Sequence, residues 1–275
     1  MALKDLLISK LTKKELSRAP RSFEIIGNKD KAVAIVEIPE KLEKRKILVA
    51  NAIMRQHRNV KTVLAKASAR QGQFRTRNYK LIKGDKNTEI MHVENGCRLL
   101  LDPQKVYFSP REGTERQRIV EQVSKKEIVM VFFAGAGPFA IVIAKKSKPK
   151  RVIGIELSEA AIDYFWKNVK LNKLENVDVV HGNVKQIARD YYGKCDRVIM
   201  PLPETAIDYL EDAAKCLKKK GIIHLYFFSE EEKIVEWKRK ARKMLGKGKK
   251  HIVQARKILP YGPRINKYRM DIEVG

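Results

Sequence analysis

Phe133-Ala134-Gly135-Ala136-Gly137-Pro138-Phe139 places two glycines and a proline directly after an apolar run. That spacing suits a strand turning sharply into a helix, with glycines that let backbone approach a ligand closely. Nineteen residues past Gly137, Glu156 ends the next apolar run, where a carboxylate can accept hydrogen bonds from ribose hydroxyls. Asn183, in His181-Gly182-Asn183, follows a third run and falls where a contact to adenine is expected. The chemistry these residues suit is nucleoside binding. Two ligands compete for it. A dinucleotide favours GxGxxG, but the third glycine position is Ala140, and Pro138 removes an amide that would meet pyrophosphate. S-adenosylmethionine has no phosphate to cradle, and it is the cofactor expected here, with Phe133, Ala134, Gly135, Gly137, Glu156 and Asn183 as binding residues. An NAD-dependent oxidoreductase using the same turn is the competing class.

These residues need a scaffold, and the second half of the chain alternates strand and helix patterns, the signature of a parallel sheet wrapped by helices. Strands are expected over 127–133, 151–156, 177–181, 196–200 and 221–228, with helices over 139–146, 158–172, 184–190, 204–217 and 230–245. Two apolar segments, 251–259 and 268–274, lack an intervening helix and predict an antiparallel hairpin at the sheet edge. A helix over 111–123 leads into this part. Residues 1–96 read as a smaller α+β domain: helices over 3–10 and 42–54, and strands over 23–26, 32–38, 62–65, 79–82 and 89–93, with 67–78 as a polar loop. The expected division is a small basic α+β domain, 1–96, and a Rossmann-like, doubly wound domain, 97–275. The uncharged run 128–144 is too short for a bilayer and is broken by Gly135, Gly137 and Pro138, so no membrane association is expected.

Charge narrows the partner. The chain of 275 residues carries 59 Lys and Arg against 32 Asp and Glu, a net charge of +27, which argues against an ordinary acidic metabolic enzyme. From Lys44 to Gly84 there are 12 basic residues and no acid, interleaved with His57, Phe74 and Tyr79. Cations with aromatics suit phosphates and stacked bases. A second block, Lys233 to Gly275, has 14 basic residues, and two separated blocks favour a large polyanion. The three cysteines, Cys97, Cys195 and Cys216, have neither disulfide nor zinc spacing, so no metal is expected, and the chain reads as cytoplasmic, without a secretory leader, and monomeric.

Three motifs in order, Val106-Tyr107-Phe108-Ser109-Pro110-Arg111-Glu112-Gly113-Thr114-Glu115-Arg116, the glycine turn, and Pro201-Leu202-Pro203 after the fourth strand, resemble the archaeal and eukaryotic tRNA (guanine-37-N1)-methyltransferase family. The likeness covers roughly residues 20–275. It implies methyl transfer from S-adenosylmethionine to N1 of guanine 37 in the tRNA anticodon loop. It also implies that Arg75, with Arg77 as the alternative, reaches the active site from Phe74-Arg75-Thr76-Arg77, and that Tyr107, Glu115 and Arg116 lie on the substrate side. The residue types agree: Glu115 as general base for the N1 proton, Arg75 or Arg116 for the charge on O6, Tyr107 to stack on or bond the flipped base. Without the motif, Glu115 and Arg116 would read as a charge pair at a helix start, and Tyr107 as a core aromatic.

The sequence departs from the family pattern at Val131, where an acid is usual, at Asn183, where Asp is usual, and at Pro201, where Asn is usual. Pro201, counted here with the cofactor-binding residues, has no side-chain amide for the guanine edge. It resembles the subgroup that also methylates carbon 7 of the tricyclic wyosine precursor, so dual activity is expected to be open to this chain. The family's additional N-terminal domain is not expected. Relatives that transfer an aminocarboxypropyl group are the alternative within the class, and a noncatalytic RNA-binding protein is the alternative outside it.

Overall fold

The computed structural model describes residues 3–68, 77–246 and 250–274. The chain divides into two compact units, Met1–Pro110 and Arg111–Gly275.

In the first unit, strands β1 (Phe23–Gly27), β2 (Ala32–Val36), β3 (Val60–Lys66) and β4 (Tyr79–Gly84) form one sheet in that order. Only the β2–β3 pair is parallel, and the crossover between them carries α2 (Lys46–Gln56), which buries Val49, Ala50, Ala52 and Ile53. A helix expected over 3–10 is instead a single 3-10 turn, Asp5–Leu7. The regular helix comes later, as α1 (Lys13–Arg18), where Thr12 accepts from the Glu15 amide and Glu15 accepts from the Thr12 amide. Those reciprocal bonds satisfy two otherwise orphaned donors, and the T-x-x-E signal for them is in the sequence. Strand β5 (Ile90–Glu94) pairs with β6 (Cys97–Leu101), which the sequence reading left out. This hairpin packs on β1 and β2, so residues 97–110 lie with the small unit and not, as expected, with the larger one. Most of the expected loop 67–78, including Arg75, lies outside the described residues.

The second unit is a seven-stranded sheet. Its central strands β7 (Ile128–Phe132), β8 (Arg151–Glu156), β9 (Val177–His181), β10 (Cys195–Met200) and β11 (Leu217–Ser229) are parallel, and β12 (Lys250–Pro260) and β13 (Asn266–Val274) run antiparallel in the order β12-β13-β11-β10-β7-β8-β9. The expected edge hairpin is therefore present. Helices α3 (Gly113–Val120), α4 (Pro138–Lys146), α5 (Glu159–Leu171), α6 (Val184–Ile187), α7 (Leu210–Cys216) and α8 (Ile234–Leu245) connect or flank the strands. The expected helices over 184–190, 204–217 and 230–245 are each part 3-10 turn. One sheet face is apolar: Met130, Phe132, Val198, Met200, Leu225, Phe227, Met270 and Ile272 pack with Leu210, Ala213, Ala241 and Leu245. Because β8 lies on one side of β7 and β10 on the other, the strand order reverses at β7, and the crevice beyond its carboxyl end is where such sheets bind ligands.

Candidate active site

The turn after β7 is built by backbone geometry. Phe133, Gly135 and Gly137 have φ of 53°, 58° and 85°, so the chain folds back within five residues and starts α4 with Pro138 at its first position, where no amide is needed. A Cβ on Gly137 would stand 2.1 Å from the ring of Phe165, which also closes on Gly154. A Cβ on Gly135 would meet nothing within 4 Å. The turn is thus packed tight on its α5 side and open at Gly135.

Glu156 ties the turn to the neighbouring segments. One carboxylate oxygen accepts from the Gly135 amide at 2.7 Å, the other from the Leu157 and Ser158 amides at 2.9 and 2.8 Å. Its carbonyl accepts from Gly182 at 2.9 Å, which brings Asn183 alongside. The Asn183 side-chain oxygen accepts from the Lys185 amide, capping α6 and leaving the two amide N–H groups for a ligand. Asn168, fully buried on α5, donates to the Ala136 carbonyl at 2.9 Å and was missed by sequence reading, since a lone Asn in an amphipathic helix gives no signal. Pro201 is half-buried at the end of β10, which pairs in parallel with β7.

Phe139 links this turn to a second set of groups. Its ring lies 5.8 Å from that of Tyr226, and the Arg116 guanidinium stands over it at 5.8 Å. Glu115 and Arg116, on the first turn of α3, are 1% and 2% exposed. The Glu115 Oε1 atom accepts from the Tyr226 hydroxyl at 2.7 Å and from Arg269 Nη1 at 2.5 Å, whereas Oε2 is buried, has no hydrogen bond among the described residues and has Arg118 Nη1 at 3.6 Å. Glu115 is therefore not an exposed surface charge at a helix start.

Behind Glu115 runs a row of charge across the sheet. His224, Tyr226 and Phe228 on β11 face Asp271, Arg269 and Lys267 on β13. Lys267 pairs with Glu112 at 2.9 Å. Arg269 Nη2 donates to Asp271 at 2.9 Å, and Nε lies 2.7 Å from its other oxygen. His224 Nδ1 and Asp271 are 2.6 Å apart, and His224 Nε2 meets Arg197 Nη1 at 2.6 Å, with Arg197 also held by Glu127. Arg197 can only donate, so Nε2 accepts and the His224 proton sits on Nδ1. Burial pushes the His224 pKa down to about 4, against the pull of Asp271. Burial also drives the Tyr226 hydroxyl well above its ordinary range, reinforced by Glu115. For Asp271, burial opposes ionisation, but the His224 and Arg269 contacts prevail and hold its pKa low.

Of the expected substrate-side residues, Glu115 and Arg116 share the α3 turn, Tyr107 is half-buried in the first unit, and Arg75 lies outside the described residues. Among the described residues, no group of His, Cys, Asp or Glu is arranged to hold a metal, and no helix is long and apolar enough to cross a membrane.

The chain is 40% identical over 258 residues to the tRNA (guanine(37)-N(1))-methyltransferase Trm5b of Pyrococcus abyssi, covering 93% of this chain and 75% of that protein. It is 35% identical over 208 residues to the tRNA 4-demethylwyosine(37)-methyltransferase Taw21 of Saccharolobus solfataricus, covering 75% and 77%. Among solved structures, the complex of aTrm5 with tRNALeu superposes with a TM-score of 0.85 at 29% identity, covering all of this chain and 78% of that one. TYW2 of Methanocaldococcus jannaschii in complex with AdoMet superposes at 0.68 and 26% identity, covering 92% and 98%. Residues 3–88 match the TYW2 N-terminal domain, and residues 90–255 match the TRM5/TYW2 methyltransferase domain. A doubly wound sheet that switches at a glycine turn, with these matches along nearly the whole chain, makes it a member of the TRM5/TYW2 methyltransferase family.

Proposed function

We propose that this chain transfers a methyl group from S-adenosylmethionine to N1 of guanosine 37 in the anticodon loop of tRNA. The observation that carries the reading is Glu115, a buried carboxylate with one oxygen anchored and the other without a hydrogen bond among the described residues. The likeness to Trm5b over 93% of the chain supports methyl transfer over aminocarboxypropyl transfer.

The residues present fit the cofactor. Open space at Gly135, the Glu156 carboxylate and the donor pair of Asn183 match an aminoacyl group, ribose hydroxyls and the acceptor nitrogens of adenine. When bound, S-adenosylmethionine supplies an electrophilic methyl. Glu115 takes the N1 proton of guanine through Oε2, and Arg116, with Arg75 or Arg77 as the other candidates, stabilises the charge that shifts onto O6. Tyr107 stacks on or bonds the flipped base. Pro201 offers an apolar wall in place of an amide donor, which favours acceptance of the tricyclic wyosine precursor as a second substrate, the reaction named for Taw21. We read the chain as a cytoplasmic monomer, and sedimentation at working concentration checks the second half of that.

Purified protein with S-adenosylmethionine and tRNAs bearing G37, A37 or the tricycle, followed by mass spectrometry of nucleosides, tests this. Methyl on G37 is expected, and methyl on the tricycle as well if Pro201 admits it; an aminocarboxypropyl adduct overturns the reading. Glu115→Gln is expected to lower the single-turnover rate by about 100-fold or more with tRNA binding unchanged.

A further inference from the structure

The buried row behind Glu115 has a geometry that packing alone does not require. Arg269 donates to Asp271 through Nη2, with Nε 2.7 Å from the other carboxylate oxygen, and a planar guanidinium tied at Nη2 has Nη1 aimed away from that contact. That nitrogen, Nη1, ends on Glu115 Oε1. Asp271 is itself fixed by His224, and His224 by Arg197, so the plane is set by three further side chains on β10, β11 and β13. The Tyr226 hydroxyl reaches the same oxygen from β11. Two donors from different strands thus converge on one carboxylate oxygen, and the other, though buried, has no hydrogen bond among the described residues. A buried acceptor left without a partner is costly and rare in native proteins.

We infer that Tyr226 and Arg269 are positioning residues for the reaction: they hold Glu115 by Oε1 so that Oε2 is the oxygen that receives the substrate proton. The inference rests on the reading of Glu115 as base. A carboxylate pinned at one oxygen loses rotation about its terminal bond, and its second oxygen is presented in a single orientation. The charged and titratable groups facing Glu115 are Tyr226 from β11, Arg269 from β13 and Arg118 from its own helix, with the Glu112–Lys267 pair one turn back. Two of these, Tyr226 and Arg269, donate to it.

The test compares single-turnover methylation for the wild type, Tyr226→Phe, Arg269→Lys and Arg269→Met, with tRNA and S-adenosylhomocysteine affinities measured for each. Tyr226→Phe keeps the ring against Phe139 and removes only the hydroxyl. It is expected to slow methyl transfer by about 10-fold with both affinities unchanged, a split between rate and binding that a merely structural role would not give. Arg269→Lys cannot grip Asp271 and Glu115 together and is expected to fall by at least as much. Arg269→Met takes the guanidinium from two buried carboxylates and is expected to lose more, and if it fails to fold, the other two variants decide. Wild-type rates in Tyr226→Phe and Arg269→Lys, with Glu115→Gln inactive, overturn the positioning role and leave the base in place. Full activity in Glu115→Gln overturns the base itself.

Discussion

The glycine turn and the Glu115 row meet at Phe139, yet they are held by opposite means. Inside the turn, conformation comes from positive φ at three residues between 133 and 137 and from a proline at the first helical position. Supports from outside it are the Phe165 ring against Gly137 and Gly154, the Glu156 carboxylate on the Gly135 amide and Asn168 on the Ala136 carbonyl. The row is set mainly by distant residues: the two hydrogen bonds to Glu115 come from residues 111 and 154 positions away. Local backbone chemistry can shape a turn where backbone and ligand approach closely. Placing one carboxylate oxygen for proton transfer requires side chains converging from several strands.

The largest effect is expected where the turn has no slack. In Gly137→Ala, a Cβ 2.1 Å from Phe165 at φ 85° combines overpacking with backbone strain, a cost of about 3 kcal/mol. Calorimetry with S-adenosylhomocysteine is expected to show binding weakened by about 100-fold, and Phe165→Leu in that background is expected to restore part of it. If Gly137→Ala binds normally, the turn is looser than its contacts imply.

The row is expected to answer to acid. The His224 pKa falls to about 4 when folded, from an ordinary 6.5, so the unfolded chain takes up a proton through that window that the folded chain refuses. Stability is therefore complete above about pH 6.5 and is lost as pH falls toward 4, by up to about 3 kcal/mol. Asp271, also held low, works in the same direction at still lower pH. Urea unfolding between pH 7 and 4.5 checks this, and His224→Asn is expected to flatten the dependence. A flat profile in the wild type would mean that the row admits water.

The smallest effect separates buried from exposed pairs. Lys218 binds Asp196 at 2.8 Å with 42% and 27% of the side chains exposed, and Lys218→Met is expected to change stability by about 0.5 kcal/mol or less. A change of several kcal/mol would erase the distinction drawn between the row and an ordinary ion pair.

Much of the fold was legible. Apolar runs alternating with helical patterns predicted the parallel strands, of which β7, β8 and β10 are buried along nearly their whole length, and the lack of a helix between 260 and 266 predicted the antiparallel hairpin. Glu156 and the turn were legible because their spacing follows from one strand, one turn and one helix. Strand β6 and helix α1 were not: the first is short and follows a two-residue turn, and the second, though it starts on a T-x-x-E signal, is six residues long and buries none of them, so it shows no apolar face. Arg269 and Lys267 were missed for a different reason. In Lys267-Tyr268-Arg269-Met270-Asp271-Ile272 the charges alternate with apolar residues, which reads as a strand with one wet face. Because β13 lies between β11 and β12 and its polar face is covered, Lys267 and Arg269 are 2% and 3% exposed.

The sequence by itself determined the turn, the acid that braces it and the sheet that carries both, since backbone conformation and short-range spacing are written in adjacent residues. Which charges would be buried, and which oxygen of Glu115 would be tied down, only the tertiary structure decided. Those outcomes depend on strand order and cross-strand register, and no neighbour in the chain records either.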